Sequence, residues 1–116
     1  MGTTPIDLYR AGDAIGPGLD ILKPGDAVIF QKNGVDWVRA QSHGTTSAPS
    51  GVSSTAVTWK LLGRNSRWWK LSAGMQYPAE LDVFQDHGNH WVWVPVRDMP
   101  LSDYVAALAT LNPSFV

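Results

Sequence analysis

Apolar and polar residues alternate over much of the chain, and a period of two predicts strands rather than helices. The first predicted strand covers residues 5–10, where apolar Ile6 and Leu8 alternate with polar neighbours. Two hairpin strands are predicted at residues 27–30 and 35–39, because Asn33-Gly34 between them favours a tight type I′ turn. Further strands are predicted at residues 56–62, 68–71 and 81–84.

Residues 90–94 (HWVWV) are aromatic or β-branched almost throughout, which predicts a strand covered on both faces. Residues 86–89 before it supply a turn, with Gly88 free to adopt positive φ. Residues 41–55 contain eight serines and threonines in fifteen positions and predict a loop. A long ordered loop in a compact domain is usually functional, so its hydroxyls and amides could bind a ligand, and self-satisfied ST-turns are an equal alternative.

The end of the chain predicts one helix. Its apolar positions share one face at helical spacing: Leu101, Tyr104, Leu108 and Leu111. Asp98 is expected to cap this helix, and Pro100 suits its first turn. The fold class is therefore α+β, a mostly antiparallel β domain with a C-terminal helix, and residues 1–116 form a single domain.

Composition narrows the classes of function. Hydrophobic residues make up 44% of the chain and charged residues 16%, the latter below the roughly 25% of ordinary soluble domains. A net charge of −1 argues against a nucleic-acid binder held by bulk electrostatics. The chain has no cysteine, no classical signal peptide and no apolar run that could cross a membrane. We expect a cytoplasmic protein that makes no membrane contact.

Two histidines, His87 and His90, stand beside the tryptophans of the predicted central strand. In a turn their spacing is not expected to place both imidazoles on one face, and Asp86 is the only further ligand nearby, so we expect no metal site. An imidazole at the start of a strand, beside tryptophans, instead favours a catalytic or substrate-binding role for His90. The alternative is a histidine satisfied by a backbone carbonyl.

Arg10 ends the first predicted strand, where a guanidinium could clamp a phosphate or carboxylate, although an exposed strand-end arginine is the simpler alternative. A second candidate is a basic run interleaved with tryptophans: Lys60, Arg64, Arg67 and Lys70 with Trp59, Trp68 and Trp69. Basic and aromatic residues together suggest nucleotide contact, and solvated hairpin charges are the alternative.

Three stretches together resemble one family. Leu8-Tyr9-Arg10-Ala11 is similar to the first strand of ADP-ribosyltransferase-like toxins, and Gly44-Thr45-Thr46-Ser47 is similar to their Ser/Thr step. The more specific match lies further along, in Trp69-Lys70-Leu71, residues 86–91 (DHGNHW) and residues 97–101 (RDMPL). These resemble a small type VI secretion effector toxin family with an ADP-ribosyltransferase-like fold.

The resemblance implies a bacterial toxin that uses NAD as substrate in the cytoplasm of a target cell, acts on an unknown target macromolecule, and is neutralised by a cognate immunity protein or antitoxin. It implies catalytic roles for Arg10, Thr46, Ser47 and His90, with His90 facing the others. It also implies contacts to NAD from Arg10, Thr45 and Trp69.

Several alternatives stay open. Many ADP-ribosyltransferases use a glutamate to hold the ribose, and Glu80, the only glutamate of the chain, has no evident place in that role. The Ser/Thr step also aligns with Ser53-Ser54. Transfer of ADP-ribose and hydrolysis of NAD are both compatible with the motifs. Two non-enzymatic alternatives are a cleft that binds a carbohydrate or nucleotide-bearing partner and an inert interaction domain of a larger assembly.

Overall fold

The computed structural model describes residues 2–44 and 49–116. Within these residues the chain forms ten strands and one α-helix. In chain order they are β1 (Gly2–Thr3), β2 (Leu8–Gly12), β3 (Ile29–Lys32), β4 (Val35–Val38), β5 (Val52–Thr55), β6 (Arg67–Leu71), β7 (Gln76–Tyr77), β8 (Leu81–His87), β9 (His90–Pro95), β10 (Met99–Pro100) and α1 (Leu101–Ala109). A short 3₁₀ helix at Asn112–Ser114 follows α1.

The largest sheet is antiparallel and has five strands in the order β6-β2-β5-β9-β8. A three-stranded sheet, β10-β4-β3, stands beside it, and β1 pairs with β7. The hairpin of β3 and β4 is confirmed at the predicted turn, where Asn33 and Gly34 adopt φ values of 53° and 76°. A type I′ turn needs positive φ at both positions, which is why Asn-Gly forms it readily.

Each face of the five-stranded sheet has its own packing. The core face buries Leu8, Leu71, Val52 and Trp93, all fully inaccessible to water. The other face, here called the outer face, carries a smaller cluster of Phe84, Val92 and Val94. Successive side chains of a strand point to opposite faces of the sheet, and consecutive residues of β9 are buried. The strand is therefore covered on both faces, as predicted.

Helix α1 packs on the core face. Tyr104, Ala107 and Leu108 are buried, and the Tyr104 hydroxyl donates to the Trp93 carbonyl oxygen at 2.6 Å. Burial raises the pKa of the Tyr104 phenol, which therefore stays protonated as a donor. The predicted apolar face of the helix is confirmed, since Leu111 is buried as well.

Two predicted assignments are wrong, and two strand ends differ from the prediction: the first strand continues past Arg10 to Gly12, and β8 continues to His87. The strand expected at residues 56–62 lies earlier, at Val52–Thr55, inside the segment expected to be a loop. Its serines and threonines fit a strand because Ser54 and Thr55 are buried between two neighbouring strands. Asp98 does not cap α1, whose N-cap residue is Pro100. The Asp98 carboxylate instead accepts a hydrogen bond from the Ala40 amide at 2.8 Å.

The predicted fold class is confirmed as α+β, with mostly antiparallel sheets and one C-terminal helix. Among the residues that the structure describes, no helix is long and apolar enough to cross a membrane.

Candidate functional site

A cleft of about 890 Å³ opens at the end of β2, on the core-face side of the sheet. Arg10 and Trp69 line it from neighbouring strands, and the loop after β2 forms the opposite wall. Gly12 allows that loop to fold closely back, since a Cβ there would stand 2.2 Å from the Gly16 carbonyl oxygen. The cleft therefore depends on a glycine at the end of the strand.

Arg10 ties the wall of the cleft to the sheet. Its guanidinium donates from Nε to the Pro17 carbonyl at 2.9 Å, from Nη1 to the Ser53 carbonyl at 2.7 Å and from Nη2 to the Gly18 carbonyl at 3.3 Å. Burial lowers the pKa of the Arg10 guanidinium, and the charges of Asp26 and Asp20 oppose this shift. Arginine remains charged even so.

The positive charge of Arg10 has no direct carboxylate partner among the described residues. A guanidinium has five N–H donors, and three hydrogen bonds leave two for another acceptor. A half-buried cation held by neutral carbonyls at the edge of a cleft can bind an anion.

Trp69 is fixed in orientation. Its indole Nε1 donates to the Asp13 carbonyl at 2.8 Å, and the Arg67 guanidinium lies 3.9 Å from its ring centroid. The chain's end closes the cleft, because Asn112 accepts from the Leu19 amide at 3.0 Å and donates to Asp20 at 2.7 Å. No local signal in the sequence indicates this role for Asn112.

Arg10 and His90 lie on opposite faces of the sheet. Tyr9 pairs with Thr55, and Thr55 pairs with His90, so these three side chains share the outer face. Arg10 follows Tyr9 and therefore points to the core face. The structure thus does not bring the predicted catalytic residues Arg10 and His90 together around one cleft.

His90 belongs to a separate cluster on the outer face. Its Nδ1 lies 2.6 Å from Asp86 Oδ1, and His87 Nδ1 lies 3.2 Å from Asp86 Oδ2. The two imidazole rings are stacked, with centroids 4.7 Å apart. The expectation that a turn would keep these imidazoles apart is wrong, because His87 and His90 are direct cross-strand partners.

The predicted Ser/Thr contacts Thr45, Thr46 and Ser47 lie outside the described residues. The alternative pair, Ser53-Ser54, lies on β5 next to the strand of Arg10. The Ser53 carbonyl accepts from Arg10 at 2.7 Å, and Ser54 Oγ accepts from Trp93 Nε1 at 3.0 Å. The structure therefore brings Arg10 together with the second of the two alternatives.

The basic and aromatic run is partly engaged in contacts of its own. Trp59 and Trp68 pack edge to face with centroids 4.7 Å apart, and Trp68 Nε1 donates to the Trp59 carbonyl at 2.7 Å. Lys70 forms an ion pair with Asp7 at 3.5 Å. These contacts hold β6 and the segment before it in place, and Trp69 is the residue of this run that lines the cleft.

Mostly antiparallel sheets with one C-terminal helix form an α+β layout that is consistent with an ADP-ribosyltransferase-like domain. A family model described as "Tse2 ADP-ribosyltransferase toxin" matches residues 7–115. The chain belongs to that toxin family, which confirms the resemblance drawn from its motifs. Neither the curated proteins nor the solved structures gave a match.

Proposed function

We propose that this protein is a toxin that binds NAD in the cleft beside Arg10 and cleaves its nicotinamide–ribose bond, with transfer of ADP-ribose to a target macromolecule or to water. It acts in the cytoplasm of a target cell after delivery by a type VI secretion system. A cognate immunity protein neutralises it. The family supplies the class of activity, and the observation that carries the choice of site is the position of Arg10 in the cleft.

The guanidinium of Arg10 suits the pyrophosphate of NAD. Two N–H donors remain after the three bonds to carbonyls, and a planar fork matches two phosphate oxygens better than an ammonium does. Because the carbonyl bonds fix the side chain in advance, little of its conformational freedom remains to be lost on binding.

The size and wall of the cleft support the same ligand. Its volume of about 890 Å³ lies within the range of roughly 300–1,000 Å³ that small-molecule sites occupy. Trp69 is anchored through its Nε1 and carries the Arg67 guanidinium over one face, so a nicotinamide or adenine ring would stack on the other face, a contact that contributes about 1–3 kcal/mol per base. The Ser53–Thr55 strand beside Arg10 supports the assignment of the Ser/Thr step to β5.

The test is release of nicotinamide from NAD by purified protein, measured by mass spectrometry. A bulky side chain at Gly16 should fill the cleft without disturbing the fold, because nothing lies within 4 Å of a Cβ built there. We expect Gly16→Trp to abolish release and Gly16→Ala, the matched control, to retain it. Arg10→Lys should lower the rate about 10- to 100-fold, since it removes charge-assisted hydrogen bonds. Arg64 lies on an exposed turn, so Arg64→Lys should leave the rate unchanged.

Equal activity of Gly16→Trp, Arg10→Lys and Gly16→Ala would exclude this cleft as the site of reaction. NAD binding without nicotinamide release would favour the non-catalytic alternative, as would a tryptophan fluorescence change with an oligosaccharide but not with NAD. Growth arrest on cytoplasmic expression, relieved by one co-expressed partner gene, tests the toxin and the immunity protein together.

A further inference from the structure

We propose that Asp86, His87 and His90 form a binding site for one first-row divalent metal ion, with zinc as the reference ion. The three residues offer one ligand atom each, and these atoms lie within 4.8 Å of one another. The site is on the outer face of the sheet, away from the cleft of Arg10, and does not depend on the proposed function.

A β-bulge assembles the three ligands. In a regular strand Asp86 and His87 would point to opposite faces, because side chains alternate. The register between β8 and β9 shifts between Gln85 and His87, which leaves Asp86 without a partner on β9. Asp86 and His87 can therefore reach the same side of the hairpin.

The hairpin turn supplies the third ligand. His87 and His90 are direct cross-strand partners, with Gly88 and Asn89 between them. Gly88 adopts φ of 50°, a conformation that glycine tolerates without steric cost. A turn of this kind holds the two imidazoles stacked face to face, with ring centroids 4.7 Å apart and an interplanar angle of 20°.

The donor distances leave room for an ion after a small adjustment. Zinc binds nitrogen and oxygen ligands at about 2.0–2.2 Å, which sets neighbouring tetrahedral ligands about 3.4 Å apart. The Nδ1 atoms of His90 and His87 now lie 2.6 Å and 3.2 Å from the carboxylate of Asp86. An ion therefore requires each imidazole nitrogen to move away from the carboxylate by less than about one ångström, and the stacked rings to tilt so that both nitrogens face the ion.

The Asp86 carboxylate is buried and the two imidazoles are more exposed, so a metal ion can reach the site from solvent. The Asp86 side chain is only 7% exposed, whereas those of His90 and His87 are 38% and 77% exposed. The His87 amide donates to Asp86 Oδ1 at 3.0 Å and fixes the carboxylate. Two imidazoles and one carboxylate bind zinc with a fourth position open to water or to another oxygen ligand.

Titration of the untagged protein with Co²⁺, followed through the visible absorption of the bound ion, tests the site directly. One equivalent should bind, and zinc should displace it. The chain has three histidines, so NMR of the imidazole ring protons gives a second test that needs no variant. We expect zinc to shift the signals of two of them and to leave those of His43 unchanged.

Variants assign the ligands. His90→Ala and Asp86→Asn should each weaken binding by about tenfold or more, since even partners of metal ligands contribute about 10- to 100-fold. His43→Ala is the matched control, because His43 packs edge-on against Phe84 with centroids 5.1 Å apart and is no part of the cluster. The proposal is overturned if the parent protein binds no ion, if the His43 signals shift with the others, or if His43→Ala weakens binding as much as His90→Ala.

Discussion

Arg10 and His90 point to opposite faces of one sheet, with a single strand between theirs. A ligand bound to the guanidinium in the cleft would be separated from the imidazole by the sheet itself. The domain therefore has two separate regions of functional interest, and substitutions can distinguish them.

NAD affinity should follow Arg10 and not His90. We expect Arg10→Lys to weaken NAD binding by about 10-fold or more, because it removes a bidentate contact. His90→Ala should leave the affinity unchanged. Quenching of tryptophan fluorescence on titration with NAD measures the affinity of both variants, since Trp69 lines the cleft. A comparable loss of affinity in His90→Ala would contradict the separation of the two faces.

Gly12→Ala should destabilise the protein by about 1–3 kcal/mol, the usual cost of overpacking. The new Cβ would stand 2.2 Å from the Gly16 carbonyl oxygen and 2.9 Å from the Pro17 Cα, and both are backbone atoms that cannot yield alone. Gly16→Ala meets nothing within 4 Å and should change stability by less than about 0.5 kcal/mol. Urea denaturation compares the pair, and equal midpoints would refute the close approach of the loop.

Ser54→Ala should lower the free energy of unfolding by about 1–3 kcal/mol. It leaves the buried Nε1–H of Trp93 without its acceptor at 3.0 Å, and an unsatisfied buried donor costs about that much. Ser53→Ala should have little effect, because the carbonyl that Arg10 uses is retained. Thermal denaturation of both variants gives the comparison. A larger loss in Ser53→Ala would reverse the inferred orientation of β5.

Asp98 should make stability depend on pH. The hydrogen bond from the Ala40 amide, with the Arg39 charge, lowers the pKa of the Asp98 carboxyl in the folded state. A lowered pKa adds stability above the unfolded-state pKa of about 3.9, and this stability is lost as the pH falls through the folded-state pKa. Asp98→Asn should thus be less stable than the parent at pH 7 and approach it in acid. A difference that stays constant with pH would contradict this.

The sequence predicted those elements whose signal is local. The Asn33-Gly34 turn, the doubly covered strand β9 and the apolar face of α1 each follow from a few neighbouring residues. The strand Val52–Thr55 could not be found in the same way, because its serines and threonines resemble a loop until the neighbouring strands cover them. Asp98 was misassigned for a similar reason, since its partner Ala40 is remote in sequence.

The candidate site was predicted in part. Arg10 and Trp69 line one cleft, and their contacts to NAD stay predictions; the carbonyls that hold Arg10 and the contact of Asn112 with Leu19 come from tertiary packing. The pairing of His87 with His90 depends on a bulge that no periodic pattern reveals. Proposed roles for Thr45, Thr46 and Ser47 stay predictions.

Arg10 couples ligand binding in the cleft to the order of the loop that forms its wall. The same guanidinium that faces the cleft holds Pro17 and Gly18 of one wall and Ser53 of the sheet. Occupancy of the cleft and order of that wall are therefore linked equilibria: an anion bound to Arg10 favours the conformation in which all these bonds are made. A ligand for this cleft should protect the loop after β2 from proteases, and a cut in that loop should release the ligand.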